Sequence, residues 1–312
     1  MKTKLLYGYT IASLLLFVGC SDTGSNDNND NNNNTEKNIQ QIDKQKIFII
    51  GDSTVHSHTT EYLLKQKGMT CGEDNPNNLL SGWGDGLAKQ MKYPENLNNQ
   101  ARQGANSLSF RTENSPQRLG LGRDWQGTIS KLRQNTNGGF LLIQFGSKNE
   151  NAHTPKFDEN ENIIDYNHDG YGDKKDTPAR IALRKSRFKD NIRFYIDQAK
   201  ELNITPVLVT VAEARVKNEK GEQRDTRGEF PNYMKELGEE ESVQVLDLHQ
   251  KTLEEFAKYS DEELRKEFGD CTLNNGYIDR THYEPQGADK VAQYVKELAC
   301  EMNNPTLCTL FK

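Results

Sequence analysis

The 312-residue chain lacks any block of lysine or arginine: 40 basic residues are outnumbered by 46 acidic ones, for a net charge of −6. Nucleic-acid binders present a clustered basic face, and attachment to anionic lipid by charge needs a polybasic run, so neither is expected as a partner. Long hydrophobic runs are missing too. "IASLLLFVGC" (residues 11–20) is too short to span a bilayer comfortably as a helix. Few extended apolar stretches follow residue 44, which counts against a lipase, and no internal repeat is evident. Apolar residues are almost absent from residues 21–43, "SDTGSNDNNDNNNNTEKNIQQID". Such a segment cannot bury enough surface to offset its ordering entropy and is expected to be a disordered tether.

What is present at the N-terminus reads as a targeting segment. Lys2 and Lys4 precede the apolar run, and its ending "FVGC" resembles the lipobox of bacterial lipoproteins, with Cys20 as the lipidated residue. The alternative is an ordinary cleaved signal peptide. The chain thus divides into a signal segment 1–20, a tether 21–43 and one folded domain 44–312. It is expected to be exported to the cell envelope or surface and to meet the membrane through a lipid anchor only. Cysteines are few. Beyond Cys20 there are four, Cys71, Cys271, Cys300 and Cys308. In an oxidising compartment four cysteines allow three connectivities. Cys300 and Cys308 flank a short segment and suggest one small closed loop, which leaves Cys71 with Cys271; four free thiols are the alternative.

After residue 44 short apolar runs alternate with helical patterns. "KIFIIGDS", "GGFLLIQFG", "ITPVLVTVA" and "SVQVLDL" read as strands, and "ENLNNQARQG" as a weaker one. Phe188, Ile192, Tyr195, Ile196 and Ala199 recur at helical spacing, as do Val291, Tyr294, Val295 and Leu298. Nearly all-apolar strands alternating with helices predict a parallel sheet covered on both faces. The expected class is α/β, a three-layer α/β/α sandwich with a five-stranded parallel sheet of flavodoxin-like type. Ligands bind such sheets beyond the carboxyl ends of the strands. There stand Gly51-Asp52-Ser53, then Arg102-Gln103-Gly104, then Gly146-Ser147-Lys148-Asn149; Asp279 and His282 come just before the last helix.

Residues 46–302 resemble the SGNH/GDSL hydrolase superfamily, and within it the rhamnogalacturonan acetylesterase-like branch. "GDST" resembles the first block, "NQARQGANSLSF" the second and "DRTHYEPQGA" the last; "SGWGDGLA" and "TPVLVTVAEAR" also resemble segments of that branch. The resemblance implies Ser53 as nucleophile, His282 as its base and Asp279 as the acid that orients the imidazole. It implies an oxyanion hole built from the backbone N–H groups of Ser53 and Gly104. One block departs from the pattern. Where the family shows Gly-x-Asn-Asp, this chain reads "FGSKNEN". Without a gap Lys148 takes the place of the asparagine donor; with one inserted residue Asn149 does.

Other residues invite functional readings that simpler ones rival. His56, His58 and His153 offer no standard set of metal ligands. Trp83 reads as core, and Trp125 as either core or a sugar platform. Arg102, Arg111 and Arg215 stand where they could contact acidic sugars, or serve as structural arginines. A long connection at about 151–180 contains "DYNHDGYGDKKD", which resembles the calcium loop of EF-hands and dockerins. Asp165, Asn167, Asp169, Asp173 and Asp176 would supply side chains, and Tyr171 its carbonyl. No cofactor is expected for the reaction itself, and Ca²⁺ is expected as a structural ion. The expected activity is a carbohydrate esterase removing acetyl groups from an O-acetylated polysaccharide or oligosaccharide, with pectic rhamnogalacturonan favoured. The alternatives are an esterase of xylan, sialate or lipid esters, and a catalytically impaired glycan-binding protein.

Overall fold

A computed structural model describes residues 45–57, 69–72, 75, 79–112, 124–147, 150, 156–157, 163–165, 178–273, 275–301 and 306–312. Cys20, the tether, His58, Lys148, Asn149 and His153 lie outside the described residues, as does all of the calcium-loop motif except the backbone of Asp165.

The strands are β1 (Lys46–Gly51), β2 (Leu97–Asn99), β3 (Gly139–Gln144), β4 (Lys156–Phe157), β5 (Ile163–Asp165), β6 (Thr205–Val209), β7 (Gln244–Leu246), β8 (Cys271–Thr272) and β9 (Ile278–Asp279). The helices are α1 (Trp83–Gln90), α2 (Ser109–Thr112), α3 (Trp125–Gln134), α4 (Pro178–Glu201), α5 (Phe230–Glu241), α6 (Leu248–Ala257), α7 (Asp261–Phe268) and α8 (Pro285–Glu301). The main sheet has the order β2-β1-β3-β6-β7, and each neighbouring pair is parallel. The expected five-stranded sheet is present, the short polar β2 included. β4–β5 and β8–β9 form small antiparallel pairs.

Alternation along the strands builds two cores. Ile47 and Ile49 of β1, with Phe140 and Leu142 of β3, face helices α1, α6, α7 and α8. Phe48 and Ile50, with Leu141 and Ile143, face α3, α4 and α5. Both faces of the sheet are thereby covered, which is why the central strands carry almost no polar side chain. Trp83 and Trp125 are both buried, one in each core. Trp125 packs edge-on to Tyr195, with ring centroids 5.0 Å apart, so it is core and not a sugar platform. The strand order reverses at β1, which lies between β2 and β3, and such a switch point opens a crevice at the strands' carboxyl ends.

Two disulfides join Cys71 to Cys271 and Cys300 to Cys308. The first, with the bridge between Thr70 and Thr272, ties the segment 69–72 to β8.

Candidate active site

β1 ends at Gly51, and the chain turns at once. Asp52 accepts hydrogen bonds at Oδ1 from the Thr54 N–H (2.9 Å) and the Thr54 hydroxyl (2.8 Å), while its carbonyl accepts from the His56 N–H (3.1 Å). This Asx turn presents Ser53 at the carboxyl end of the sheet. Behind it the Gln144 amide donates to Thr54 Oγ1 (2.9 Å), and Trp83 Nε1–H donates to Gln144 Oε1 (2.7 Å). Gly51 is required by close approach: a Cβ there would stand 2.8 Å from the Gln144 carbonyl oxygen. His56 is buried, with Nδ1 2.7 Å from the Ala101 carbonyl, so its imidazole ties this turn to the main chain after β2.

Ser53 and His282 are far apart in the chain, yet Ser53 Oγ lies 2.9 Å from His282 Nε2. His282 Nδ1 lies 2.7 Å from Asp279 Oδ2, and Asp279 Oδ1 accepts from the N–H groups of Thr281 (2.9 Å) and His282 (3.0 Å). Burial alone would raise the Asp279 carboxyl, but the His282 charge and these hydrogen bonds outweigh it and hold the group well below the usual carboxylate range. Asp279 is therefore an anion at neutral pH, suited to fix the Nδ1–H tautomer and stabilise an imidazolium.

The two halves are joined by main-chain bonds from one segment. Ser81 N–H donates to the Tyr283 carbonyl (2.9 Å) and Trp83 N–H to the Thr54 carbonyl (3.0 Å). Arg215 adds a second clamp. Buried at 1 % exposure, its Nη2 donates to the carbonyls of His282 (2.8 Å), Asp279 (2.9 Å) and Gly269 (3.2 Å). Of the two readings for Arg215, the structural one holds. Arg102 donates to Ser109 (3.2 Å), and Arg111 lies over the Phe194 ring (4.4 Å).

Ser53, Gln103, Gly104, Ser147, Arg227, Asp279 and His282 line one cleft of about 300 Å³, with Leu273 and Tyr277 from the β8–β9 hairpin. Gly104 occupies the third place of a turn closed by the Ala105 N–H on the Arg102 carbonyl (3.2 Å). Nothing in the protein lies within 4 Å of where its Cβ would stand; its φ of +72° is what demands glycine. The third oxyanion donor expected at Lys148 or Asn149 falls outside the described residues. The Gly104 loop is held from below by Glu150, whose carboxylate accepts from the Ser107 N–H (2.6 Å) and hydroxyl (2.9 Å). Burial, opposed by these bonds and aided by the nearby Asp52 charge, pushes Glu150 up to about 7. Arg227, Tyr277 and Glu150 escaped the sequence reading because none sits in a recognisable spacing; only the fold brings them to the cleft or its floor.

Among the described residues two groups could in principle hold a metal. Cys71 and Cys271, near Glu284, are consumed by their disulfide. In the other group Glu213 already accepts from the N–H groups of Ala214 (2.6 Å) and Thr226 (2.9 Å), and lies 3.1 Å from His249 Nε2. Its oxygens serve the loop after β6, and it is read as structural.

No family model matches the chain. Curated relatives include the rhamnogalacturonan acetylesterase RhgT of Bacillus subtilis (strain 168), 28% identical over 233 residues, or 72% of this chain and 83% of that protein. The probable rhamnogalacturonan acetylesterase YesY of the same organism is 30% identical over 147 residues, which is 46% of this chain and 64% of the relative, just under two thirds of its length. Among solved structures the Bacillus subtilis protein YXIM gives a TM-score of 0.52 at 18% identity, over 81% of this chain and 55% of that one, a likeness of fold. The resemblance carried by the sequence blocks is borne out by these relatives.

Proposed function

We propose that this chain, a carbohydrate esterase of the rhamnogalacturonan acetylesterase-like SGNH branch, releases acetate from O-acetylated pectic rhamnogalacturonan. The observation that carries the mechanism is the unbroken chain from Ser53 Oγ to His282 Nε2 (2.9 Å) and from His282 Nδ1 to Asp279 (2.7 Å). A serine hydroxyl is a weak nucleophile until a base accepts its proton. His282 takes that proton as Ser53 Oγ bonds to the acetyl carbonyl carbon. The oxyanion is received by the N–H groups of Ser53 and Gly104, each such donor being worth about 3 kcal/mol in a hydrolase of this kind. Collapse breaks the ester C–O bond, and His282 returns the proton to the departing sugar oxygen. Water then attacks acetyl-Ser53, losing its proton to His282, and acetate leaves as Ser53 recovers its hydrogen.

The full chain should release acetate from acetylated rhamnogalacturonan and hydrolyse 4-nitrophenyl acetate. Ser53→Ala should lower turnover by about 10⁴-fold or more without lowering the melting temperature. Equal activity of wild type and variant would refute the mechanism. The lipid anchor at Cys20, placement at the cell envelope and Ca²⁺ at Asp165, Asn167, Asp169, Tyr171, Asp173 and Asp176 belong to the same proposal and rest on sequence alone. Calcium should raise the melting temperature and a chelator lower it, with the response lost in Asp169→Ala; a wild type indifferent to both would rule the ion out.

A further inference from the structure

Asp279 closes β9, and the strand it pairs with is β8: Cys271 stands opposite Asp279, and Thr272 opposite Ile278. Each strand is two residues long and neither belongs to the five-stranded sheet. A two-stranded ribbon of that size has little stability of its own. Its apolar support is a satellite cluster of Met69, Leu80, Cys71, Cys271 and Leu273, separate from both main cores, and two of those members form the Cys71–Cys271 disulfide. Thr70 and Thr272 exchange N–H to carbonyl bonds of 2.8 and 2.7 Å, which join β8 to residues 69–72. Leu80 of the same cluster precedes Ser81, whose N–H holds the Tyr283 carbonyl beside His282 (2.9 Å). Arg215 grips the Asp279 carbonyl from elsewhere (2.9 Å). One hydrogen bond fixes one point of the backbone, and the direction of the carboxylate follows from how the strand is paired. A region with so few buried apolar contacts opens readily unless something else holds it shut.

We propose that the Cys71–Cys271 disulfide positions the catalytic acid, so that hydrolysis runs at full rate only once this bond has formed. The proposal rests on the esterase reading for the rate, though not for the geometry. Forming the bond removes one hydrogen from each thiol; the two protons and two electrons pass to a disulfide-bearing oxidant, which becomes its dithiol. A dithiol reductant reverses the step. Cys71 is only half-buried, and Gly72 and Asp270, the chain neighbours of the two cysteines, line a cavity of about 580 Å³ that shares no residue with the catalytic cleft. The sulfurs can thus be approached without entering the cleft. Cys300–Cys308 differs in kind: it joins the end of α8 to a segment whose Leu307, Leu310 and Phe311 already pack in a main core. Its loss leaves Asp279 where it is.

The test uses the full chain carrying Cys20→Ser, Cys300→Ser and Cys308→Ser, which leaves Cys71 and Cys271 as its remaining cysteines. Oxidised, it should hydrolyse 4-nitrophenyl acetate as the wild type does. A dithiol should lower kcat about 10-fold to 100-fold per Ser53 titrated to completion with a fluorophosphonate, the upper end being what a misplacement of about 1 Å costs. KM should hold, and reoxidation should restore the rate. Cys71→Ser with Cys271→Ser should match the reduced protein; if that pair fails to fold, Cys71→Ala with Cys271→Val keeps the cluster apolar and removes only the bond. In Asp279→Asn, already slow, the same cysteine substitutions should cost nothing further, because the disulfide acts through that carboxylate. An unchanged kcat after reduction, or an equal loss in both backgrounds, overturns the proposal. Proton NMR supplies a readout that needs no turnover. The hydrogen between His282 Nδ1 and Asp279 should resonate far downfield in the oxidised chain, vanish in Asp279→Asn, and broaden or vanish on reduction. Its survival unaltered in the reduced chain also overturns the proposal. Loss of the signal on reduction, in a chain that hydrolyses no ester, would leave the positioning role standing and refute the esterase mechanism instead.

Discussion

Replacing Glu150 by glutamine should change how stability depends on pH. The carboxyl stands beneath the Gly104 loop, where Ser107 donates to it through N–H and hydroxyl; Ser107 is itself held by the Tyr195 hydroxyl on its carbonyl (2.7 Å) and the Asn191 amide on its Oγ (3.2 Å). Burial raises the group from 4.5 to about 7 in the folded state. Below pH 4.5 folded and unfolded chains both hold this proton, and the group contributes no slope. Between 4.5 and about 7 the unfolded chain has released it while the folded chain retains it, so stability falls as pH rises. Above about 7 both are ionised and the loss is complete, amounting to about 3 kcal/mol. Glutamine has nearly the same shape, keeps an acceptor for the Ser107 N–H and cannot ionise. The variant should match the wild type near pH 4.5 and exceed it progressively up to pH 7–8, by roughly 6–12 °C in melting temperature for a domain of this size. Thermal unfolding of both proteins from pH 4.5 to 8 checks this, because other titrating groups cancel in the difference. A melting-temperature difference that stays constant across the range would refute the reasoning.

Arg215→Met should leave three main-chain carbonyls, those of Gly269, Asp279 and His282, without the guanidinium that ties them together. We expect a loss of about 3–5 kcal/mol in stability and a fall in kcat exceeding the change in KM, measured per folded molecule; an unaltered kcat would show that the clamp does not position His282. Replacing both Cys71 and Cys271 by serine releases a cross-link between residues 200 apart in sequence, against 8 for Cys300 and Cys308. Chain entropy puts the losses at about 5 and about 2.5 kcal/mol, so the first pair of substitutions should depress the melting temperature more, and the reverse order would contradict that account.

Much of this architecture was legible in the chain because its signals are local. The apolar runs of β1, β3 and β6 become buried strands where they were expected, and the helical stripes at 188–199 and 291–298 face the two cores. β2 was the weak one, since of its three partly buried residues only Leu97 packs on the core, and Asn98 and Asn99 hold their place by pairing with β1. Ser53, Gly104, Asp279 and His282 were legible for a different reason: each must keep a side chain or a backbone angle that the turn around it dictates, and a turn is written in consecutive residues.

What the order of amino acids determined on its own is the set of elements, the two-sided burial of the central strands and the identities of the groups at their carboxyl ends. Which of those groups meet was decided in three dimensions. Arg102, Arg111 and Arg215 looked alike in sequence, yet they are spent on Ser109, on the Phe194 ring and on three main-chain carbonyls. Arg227, with no motif around it, lines the cleft. Trp125 went to the core while Tyr277 stayed in water. The physical reason is that a side chain's role depends on neighbours distant in the chain, and only the closed sheet and its packed helices bring those neighbours within a few ångströms.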